Sequence, residues 1–486
     1  MNYSVIRRTV GWLLLFETGF FFVPLITSAI YLEKEFFDFL LTMAITGVLG
    51  SLFVYKKPKS TVIYAKEGFV IVALSWIVMS LFGALPFWFS GAIPSYIDAL
   101  FETVSGFSTT GSSILTGEQI DALFETSKSI LMWRSFTHWV GGMGVLVLIM
   151  AFLPLSGAKN MNLMRAESTG ASVGKLVPKV RQTAFLLYMI YSAMTLVQFI
   201  ALLSSGMSIF ESLTTAFGTA GTGGFGVKGD SLASYTATQQ IIVTIFMLLF
   251  SVNFNSYYLL LRRKLKDAFN IEVRAFFVIV LAAISLIAIN LLLQPETYGY
   301  ETGEAIRHSA FSVASVISTT GFATEDFALW PTFAQSILIL LMFVGACAGS
   351  TGGGMKVSRV LVLGKGGSHE VGRLIHPNQV KKISIDGKVV EHEVVRSINS
   401  YIVALLLVLV ISTLLISLEG HDFTTTFTAV VATLNNIGPG LGKVGPSGNF
   451  AFFGDFSKIV FIFDMLAGRL EIFPMLVLFA PSTWRK

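Results

Sequence analysis

Four phrases in the sequence pair hydroxyl or amide side chains with glycine: "GFSTTGSSIL" at 106–115, "GTAGTGGFGV" at 218–227, "SVISTTGFATEDF" at 315–327 and "TLNNIGPGLG" at 433–442. These residue types suit one chemistry. Carbonyl oxygens of extended backbone can replace the water shell of a dehydrated cation, and glycine permits backbone angles that other residues resist. Threonine hydroxyls add oxygen ligands without full charge. A short half-apolar segment precedes each phrase ("PSYIDALFETVSGF", "MSIFESLTTAF", "GEAIRHSAFSVASV", "DFTTTFTAVVATL"). As helices of about 11–14 residues these would be roughly 16–21 Å long, too short to cross a hydrocarbon core of about 30 Å. They can enter and return, because non-helical backbone at membrane depth is tolerated where protein buries it or it lines a watery cavity. Four such loops around one axis would wall one ion filter. If the helices enter from outside, their C-terminal ends favour a cation in the cavity. The bland alternative is four ordinary outer loops rich in turn residues.

The elements that must position these loops are apolar. Of 486 residues 53% are hydrophobic and 13% charged, with a mean hydropathy of +0.72, whereas a soluble domain carries about 25% charged residues. Apolar stretches at 10–31, 37–55, 68–90, 128–153, 183–205, 236–261, 273–293, 333–362, 395–418 and 455–480 predict ten helical spans with both termini on one side. The short alternating segments of a membrane β-barrel are not seen. The run at 10–31 is too long for a signal-peptide core and reads as a retained span. Cys347 is alone, so no disulfide forms within one chain.

Charge orients the spans. Lys56, Lys57, Lys59 and Lys66 fill one loop; Lys159, Arg165, Lys175, Lys179 and Arg181 fill the next. Arg262, Arg263, Lys264, Lys266 and Arg274 fill a third, and Lys356, Arg359, Lys365, Arg373, Lys381, Lys382, Lys388 and Arg396 mark the stretch 356–396, read as a long basic loop. The intervening loops carry Asp98, Glu102, Glu118, Asp121 and Glu125, then Glu211 and Asp230, then Glu296, Glu301, Glu304, Glu325 and Asp326. The positive-inside rule puts the basic loops and both termini in the cytoplasm and the glycine phrases outside. The net charge of +5 is thus divided by membrane side and does not point to nucleic acid.

With Gly111, Gly223, Gly321 and Gly438 taken as equivalent, the phrases recur about every 100–120 residues. The expected fold is an all-α polytopic membrane protein: an N-terminal two-helix hairpin at 1–60, then four helix–pore loop–helix repeats at 61–157, 158–265, 266–370 and 371–486 around one pore.

The span at 333–362 is interrupted by "GACAGSTGGG", 345–354. Each of Gly345, Gly349, Gly352, Gly353 and Gly354 would cost a helix nearly 1 kcal/mol relative to Ala. Three readings are open: a close helix contact through small residues, a phosphate loop, and a flexible intramembrane loop. The phosphate pattern fails because Met355 separates Gly354 from Lys356. Arg469 lies near the middle of its span, roughly 16–21 Å from either end, and a charge at that depth is a functional candidate. Asp464 and Glu471, seven apart and so expected on one face, are its alternative neutralising partners. Arg134 and His138, four apart, share a helix face and read as a satisfied interior pair rather than a pH sensor. Glu17 reads as polarity for helix packing. The 356–396 stretch reads as a docking surface or a solvated loop.

The whole chain resembles the Trk/Ktr/HKT superfamily of potassium transporters, most closely the TrkH type. The resemblance rests on "FSTTGSSI", "ISTTGFAT", "ATLNNIGPGLG", "GACAGSTGGGMKVSR" and "AGRLEIFPMLVL", and on the extra N-terminal hairpin at 10–55. It implies four joined domains resembling potassium-channel subunits, a homodimer, and a cytoplasmic TrkA-type nucleotide-binding (RCK) ring as regulator. It implies a multi-pass protein of the bacterial inner membrane, no covalent cofactor, and as potassium ligands Thr109, Thr110 and Gly111; Gly221, Thr222 and Gly223; Thr319, Thr320 and Gly321; and Asn436, Ile437 and Gly438. Gly345, Gly349, Gly352, Gly353, Gly354 and Lys356 would belong to a loop that blocks the pore when closed. Arg469 would face the pore below the filter as a barrier to cations. Gly111 matches potassium-selective members, whereas sodium-permeable plant relatives tend to carry Ser there. No loop reads TVGYG, which implies a shorter carbonyl ladder than a potassium channel has.

The leading expectation is gated, potential-driven uptake of potassium, with rubidium as a surrogate. Each 100 mV contributes about 2.3 kcal/mol per monovalent charge, enough for roughly a 50-fold concentration ratio. A sodium- or proton-coupled symporter on the same scaffold is the alternative. An intramembrane hydrolase lacks recognisable metal-ligand or nucleophile–base spacing among six His and one Cys, and repeated pore loops argue against a ligand-sensing receptor.

Overall fold

The computed structural model describes residues 1–58, 64–144, 180–294, 299–376 and 382–485. The expected divisions at 60/61 and 157/158, the far part of the 128–153 stretch, Glu296, and Lys59, Lys159, Arg165, Lys175, Lys179 and Lys381 lie outside these residues.

Among the described residues, six helices are long and apolar enough to cross a membrane: Tyr3–Tyr31, Phe36–Tyr55, Lys66–Phe89, Gln182–Ser204, Ile271–Leu292 and His392–Ser417. Ala237–Phe250 and Phe254–Leu261 make a seventh if counted together, but they are bent by 90°. Several of the ten expected spans are therefore not continuous. The 236–261 stretch breaks at Ser251–Asn253, 333–362 ends as a helix at Phe343 and resumes at Val357, and 455–480 breaks after Arg469. The expected basic loop at 356–396 is largely ordered: helix Val357–Ile375 leads to a hairpin, Ser384–Ile385 with Lys388–Val389, and then into His392–Ser417.

The N-terminal hairpin closes through small residues. A Cβ on Gly11 would stand 2.7 Å from Phe53 Cβ, and one on Gly50 would stand 3.0 Å from Gly11 O. The Thr18 and Thr46 hydroxyls lie 2.8 Å apart across the same seam. Backbones that approach this closely pack without the help of a hydrophobic driving force, which lipid does not supply. The hairpin packs against Ala65–Gly83 and Lys128–Gly142, with Phe21 wedged between Phe39 and Trp133.

Four short helices hang between these spans: Tyr96–Phe107, Ile209–Gly221, Thr302–Ile317 and Phe423–Leu434. Ser95, Ser208 and Asp422 cap the first, second and fourth by accepting the N–H of Asp98, Glu211 and Thr425. The third is longer than expected, at 16 residues. At about 24 Å it is still too short to span.

A buried ion pair braces the first short helix. Glu102 Oε1 accepts from Arg134 Nε at 2.6 Å, and Glu102 also takes the Ser113 hydroxyl (3.0 Å) and the Ile114 N–H (2.8 Å). Arg134 donates onward to Gly226 O at 2.8 Å. Breaking such a pair strands a buried charge, so Glu102→Ala and Arg134→Leu are each expected to cost about 3–5 kcal/mol. Thermal unfolding in detergent checks this, and wild-type midpoints would show that the pair is solvated.

Candidate ion pathway

The four short helices end alike. Thr109, Thr222, Thr319 and Asn436 take left-handed angles, φ 58°, 54°, 59° and 55°. Behind each, the next N–H reaches back five residues: Thr110 to Ser105 O, Gly223 to Gly218 O, Thr320 to Ser315 O and Ile437 to Ala432 O, at 2.8–2.9 Å. This is the Schellman termination, usually built on glycine. Here three threonines and an asparagine occupy the left-handed position, at a cost of about 1 kcal/mol or more each.

The residue two further on is glycine every time, at φ 84° (Gly111), 78° (Gly224), 86° (Gly321) and 96° (Gly438). A Cβ on Gly111 would strike Gly223 O, one on Gly224 would strike Thr320 O, and one on Gly321 would strike Ile437 O. One on Gly438 would lie 2.9 Å from Thr110 O, closing the circle. The four loops thus form a ring in which each glycine makes room for the preceding carbonyl of the next loop. This corrects the register of the second loop. Thr222, Gly223 and Gly224 correspond to Thr109, Thr110 and Gly111, while Gly221 is the last residue of its helix. Gly111, Gly224, Gly321 and Gly438 together line a cavity of about 90 Å³.

Side chains stitch the ring. Asn436 Nδ2 donates to Thr110 Oγ1 and to Met465 O, both at 2.9 Å, and Ser112 Oγ donates to Gly438 O at 3.0 Å. Ser108 and Ser318 hydroxyls pair with those of Thr110 and Thr320 at 2.7 and 2.6 Å. The second loop has glycine where the others carry Thr110, Thr320 and Ile437. Its support comes from His138, whose Nδ1 lies 2.8 Å from Gly106 O and whose Nε2 accepts the Phe225 N–H at 3.3 Å. A carbonyl partner on one nitrogen and an N–H on the other are compatible only with a neutral ring protonated at Nδ1. Arg134 and His138 are therefore satisfied as the sequence suggested, though by their surroundings rather than by each other.

Below the ring lies the interrupted span. Residues 344–356 form a loop whose ends are pinched together by a Val344–Met355 bridge. Gly353 N–H donates to Thr319 Oγ1 at 2.6 Å, so the loop touches the third glycine phrase from beneath. Gly345, Gly352 and Gly353 pack against backbone or Ala346, where added Cβ atoms would clash; Gly349 and Gly354 have φ 74° and 65°. Lys356 Nζ donates to Gly352 O and Gly353 O. The break in the second repeat satisfies the same loop: Ser251 O accepts Cys347 N–H and Gly349 O accepts Phe254 N–H, both at 3.0 Å. Freed backbone groups at membrane depth find one another.

Arg469 is buried, and it is not mid-helix: it ends Asp455–Arg469, where the C-terminal dipole favours a cation. Its guanidinium donates to Thr351 O at 3.0 Å, to Gly142 O at 2.6 Å and to Gly141 O. It thus links the loop to the first repeat directly under the ring. The expectation that Asp464 and Glu471 share a helical face fails, because the helix stops between them. Glu471, at φ 55°, pairs with Arg359, and Asp464 accepts from Ser412 at 2.7 Å. Gly224 and Glu272 were missed in sequence, and Glu102, read there as a loop acid, is buried in its short helix against Arg134. For Glu272 the available signal was a single acid at the mouth of a basic loop.

Above the ring, an open cavity of about 690 Å³ is lined by Glu118, Asp121, Asp230, Glu304, Glu325 and Asp326, with Arg307 opposite in sign and His308 beside it. Burial pushes the Glu325 carboxyl above its ordinary range; Arg307 opposes this, and Glu304 and Asp326 add to it. An acidic mouth raises the local concentration of cations.

A family profile described as "TrkH: Cation transport protein" matches residues 33–486. The chain is 36% identical over 491 residues to the Trk system potassium uptake protein TrkH of Escherichia coli K12, covering all of both chains. It is 32% identical to TrkG of the same organism, over 99% of this chain and 98% of that one. The crystal structure of the potassium transporter TrkH from Vibrio parahaemolyticus superposes with a TM-score of 0.88 at 32% identity, over the full length of both. The relatives are transporters and not enzymes, and their all-α, membrane-spanning architecture is the one described above. The chain belongs to the TrkH family of cation transport proteins.

Proposed function

We propose that the chain is the pore-forming subunit of a potassium uptake system, conducting potassium and rubidium inward under the membrane potential. The observation that carries this is the closed ring of four loops, whose Thr110, Gly223, Thr320 and Ile437 carbonyls abut the neighbouring glycines. A cage of carbonyl oxygens facing the negative ends of four helix dipoles suits a dehydrated monovalent cation. The ligands in this reading are Thr109, Thr110 and Gly111; Thr222, Gly223 and Gly224; Thr319, Thr320 and Gly321; and Asn436, Ile437 and Gly438. Loop 344–356 and Arg469 form the gate, since both sit under the ring and are hydrogen-bonded to each other. The chain resides in a bacterial inner membrane with both termini in the cytoplasm and works as a homodimer. Its regulator is a nucleotide-binding ring docked on the basic side, where Val371, Leu374 and Ile375 are exposed at the end of their helix.

Rubidium uptake into potassium-loaded liposomes, measured against external sodium, tests the filter. Gly111→Ser puts a side chain against Gly223 O and is expected to lower the rubidium-over-sodium preference by about tenfold, the effect of losing roughly 1.4 kcal/mol of discrimination. An unchanged ratio would remove Gly111 from the filter. Arg469→Ala strips the cation and the hydrogen bond that hold the loop beneath the ring, so uptake without any partner protein is expected to rise; equal or lower uptake from folded protein would sink the gate.

One observation favours proton-coupled symport on the same scaffold. Glu17 is fully buried in the N-terminal hairpin, and neither of its oxygens has a hydrogen-bond partner. Coupling predicts that rubidium uptake acidifies the liposome interior, read by a trapped pH dye, and that Glu17→Gln abolishes this. Uptake without acidification leaves simple conduction.

A further inference from the structure

We infer that Glu272 is a positioning residue for the intramembrane loop, and that the hairpin turn at Asp386 holds the same helix end in place. The inference rests on the reading of residues 344–356 as a gate.

Glu272 is the second residue of Ile271–Leu292 and is only 8% exposed. A single oxygen, Oε1, accepts the Ala348 N–H at 2.8 Å and the Ser358 N–H at 3.1 Å. Ala348 lies in the loop beside Cys347. Ser358 lies in the first turn of Val357–Ile375, the helix into which the loop runs. One carboxylate therefore ties the body of the loop and its exit to a third element. Ser358 N–H is among the amides that a helix start leaves without an internal partner. The charge sits at two helix N-termini at once, its own and that of Val357–Ile375, and both favour an anion. Glu272 takes the loop at Ala348 and Arg469 takes it at Thr351, so two charged groups of opposite sign restrain it from separate elements.

The start of Ile271–Leu292 is itself held. Asp386 and Gly387 form the hairpin turn at φ 48° and 74°, the left-handed pair that suits an Asp-Gly turn. Both Asp386 oxygens accept the Ile271 N–H, at 3.0 and 3.3 Å, and Arg274 lies 3.8 Å away. From the other side, Lys365 Nζ on Val357–Ile375 donates to Ser384 O at 2.7 Å. The hairpin is thus fastened to the two helices that Glu272 joins. Any force that displaces it acts on the residue next to Glu272.

Two readouts on the purified full-length chain in liposomes, without partner protein, test this. They are the initial rate of rubidium uptake and the rate at which N-ethylmaleimide alkylates Cys347, which is buried in the loop and is the chain's single cysteine. Glu272→Ala removes two charge-assisted hydrogen bonds and is expected to raise both rates by about tenfold or more. Glu272→Gln keeps an oxygen in place without the charge and falls between, and Asp386→Ala moves both rates in the same direction by less. If Arg469→Ala raises both rates and Glu272→Ala raises neither, the inference is overturned while the gate stands. If Arg469→Ala also raises neither, the gate reading falls and this one with it. Should Glu272→Ala fail to fold, Glu272→Gln and Asp386→Ala decide. Faster alkylation confined to variants with a lowered thermal midpoint would mark general loosening and overturn the proposal; faster alkylation at a wild-type midpoint supports it.

Discussion

Everything in this molecule depends on bringing four non-helical backbones together at membrane depth without leaving their polar groups unpaired. Each loop does it by reversing at a left-handed residue, sending the next N–H back into its own helix, and placing a glycine where the neighbouring loop's carbonyl must pass. A methyl group at any of three of those glycines would occupy the space of an oxygen. Around the ring, what excludes the side chain is also what forms the carbonyl layer, so packing and ion chemistry are the same constraint seen from two sides.

The constraint propagates downward. Interrupting the spans at 251–253 and 344–356 frees carbonyls and amides that cannot be left to lipid. Each break supplies the partners that the other lacks: Ser251 O for Cys347 N–H and Gly349 O for Phe254 N–H. The charged groups complete the set. Arg469 takes carbonyls from the loop and from the first repeat, Lys356 takes two from the loop itself, and Glu272 accepts two amides. The loop is held mostly by hydrogen bonds to its backbone, so its sequence can be glycine-rich. Such a restraint can let go one bond at a time, unlike a packed apolar core, which is what the proposed gate requires.

What was legible in sequence follows from what repeats. The four phrases and their preceding segments were visible because each unit solves the same backbone problem with the same residue types. The register of the second phrase was not. In "GTGGFG" two adjacent glycines offer two alignments, and the match of Thr-Gly to Thr110-Gly111 selects the wrong one. Only the backbone angle at Thr222 shows that the loop glycine is Gly224. The break at 251–253 was also hidden, since apolar residues flank it and it contains no proline, whereas the break after Arg469 was signalled by Pro474 in the first turn of the next helix. The first break is held by hydrogen bonds to the distant 347–349 stretch, the second by a local turn in which Ile472 N–H returns to Ala467 O. The ordered stretch after Lys356 was masked by its charge, which reads as a loop when no partner is in view. Glu272 offered only the weak signal of one acid beside a basic loop, because its two partners lie 76 and 86 residues away.

The ring is fourfold in backbone and not in side chains, and the difference has a physical reading. Thr110 and Thr320 brace their loops with hydroxyl pairs, and Asn436 braces the fourth by reaching across to the first. The second loop has no side chain at Gly223, and the space a Cβ would take is filled by the His138 imidazole. Its bracing is therefore external. It comes through His138 to the Phe225 N–H, and through Arg134, which bonds Gly226 O and stacks 3.7 Å over the Phe225 ring. Because Arg134 is neutralised by Glu102 on the first short helix, the second loop's position is referred to the first repeat rather than to its own. Covalently joined repeats allow this. A tetramer of identical subunits must brace every loop alike, whereas a single chain can keep the carbonyl geometry equal while letting each repeat supply a different share of its support.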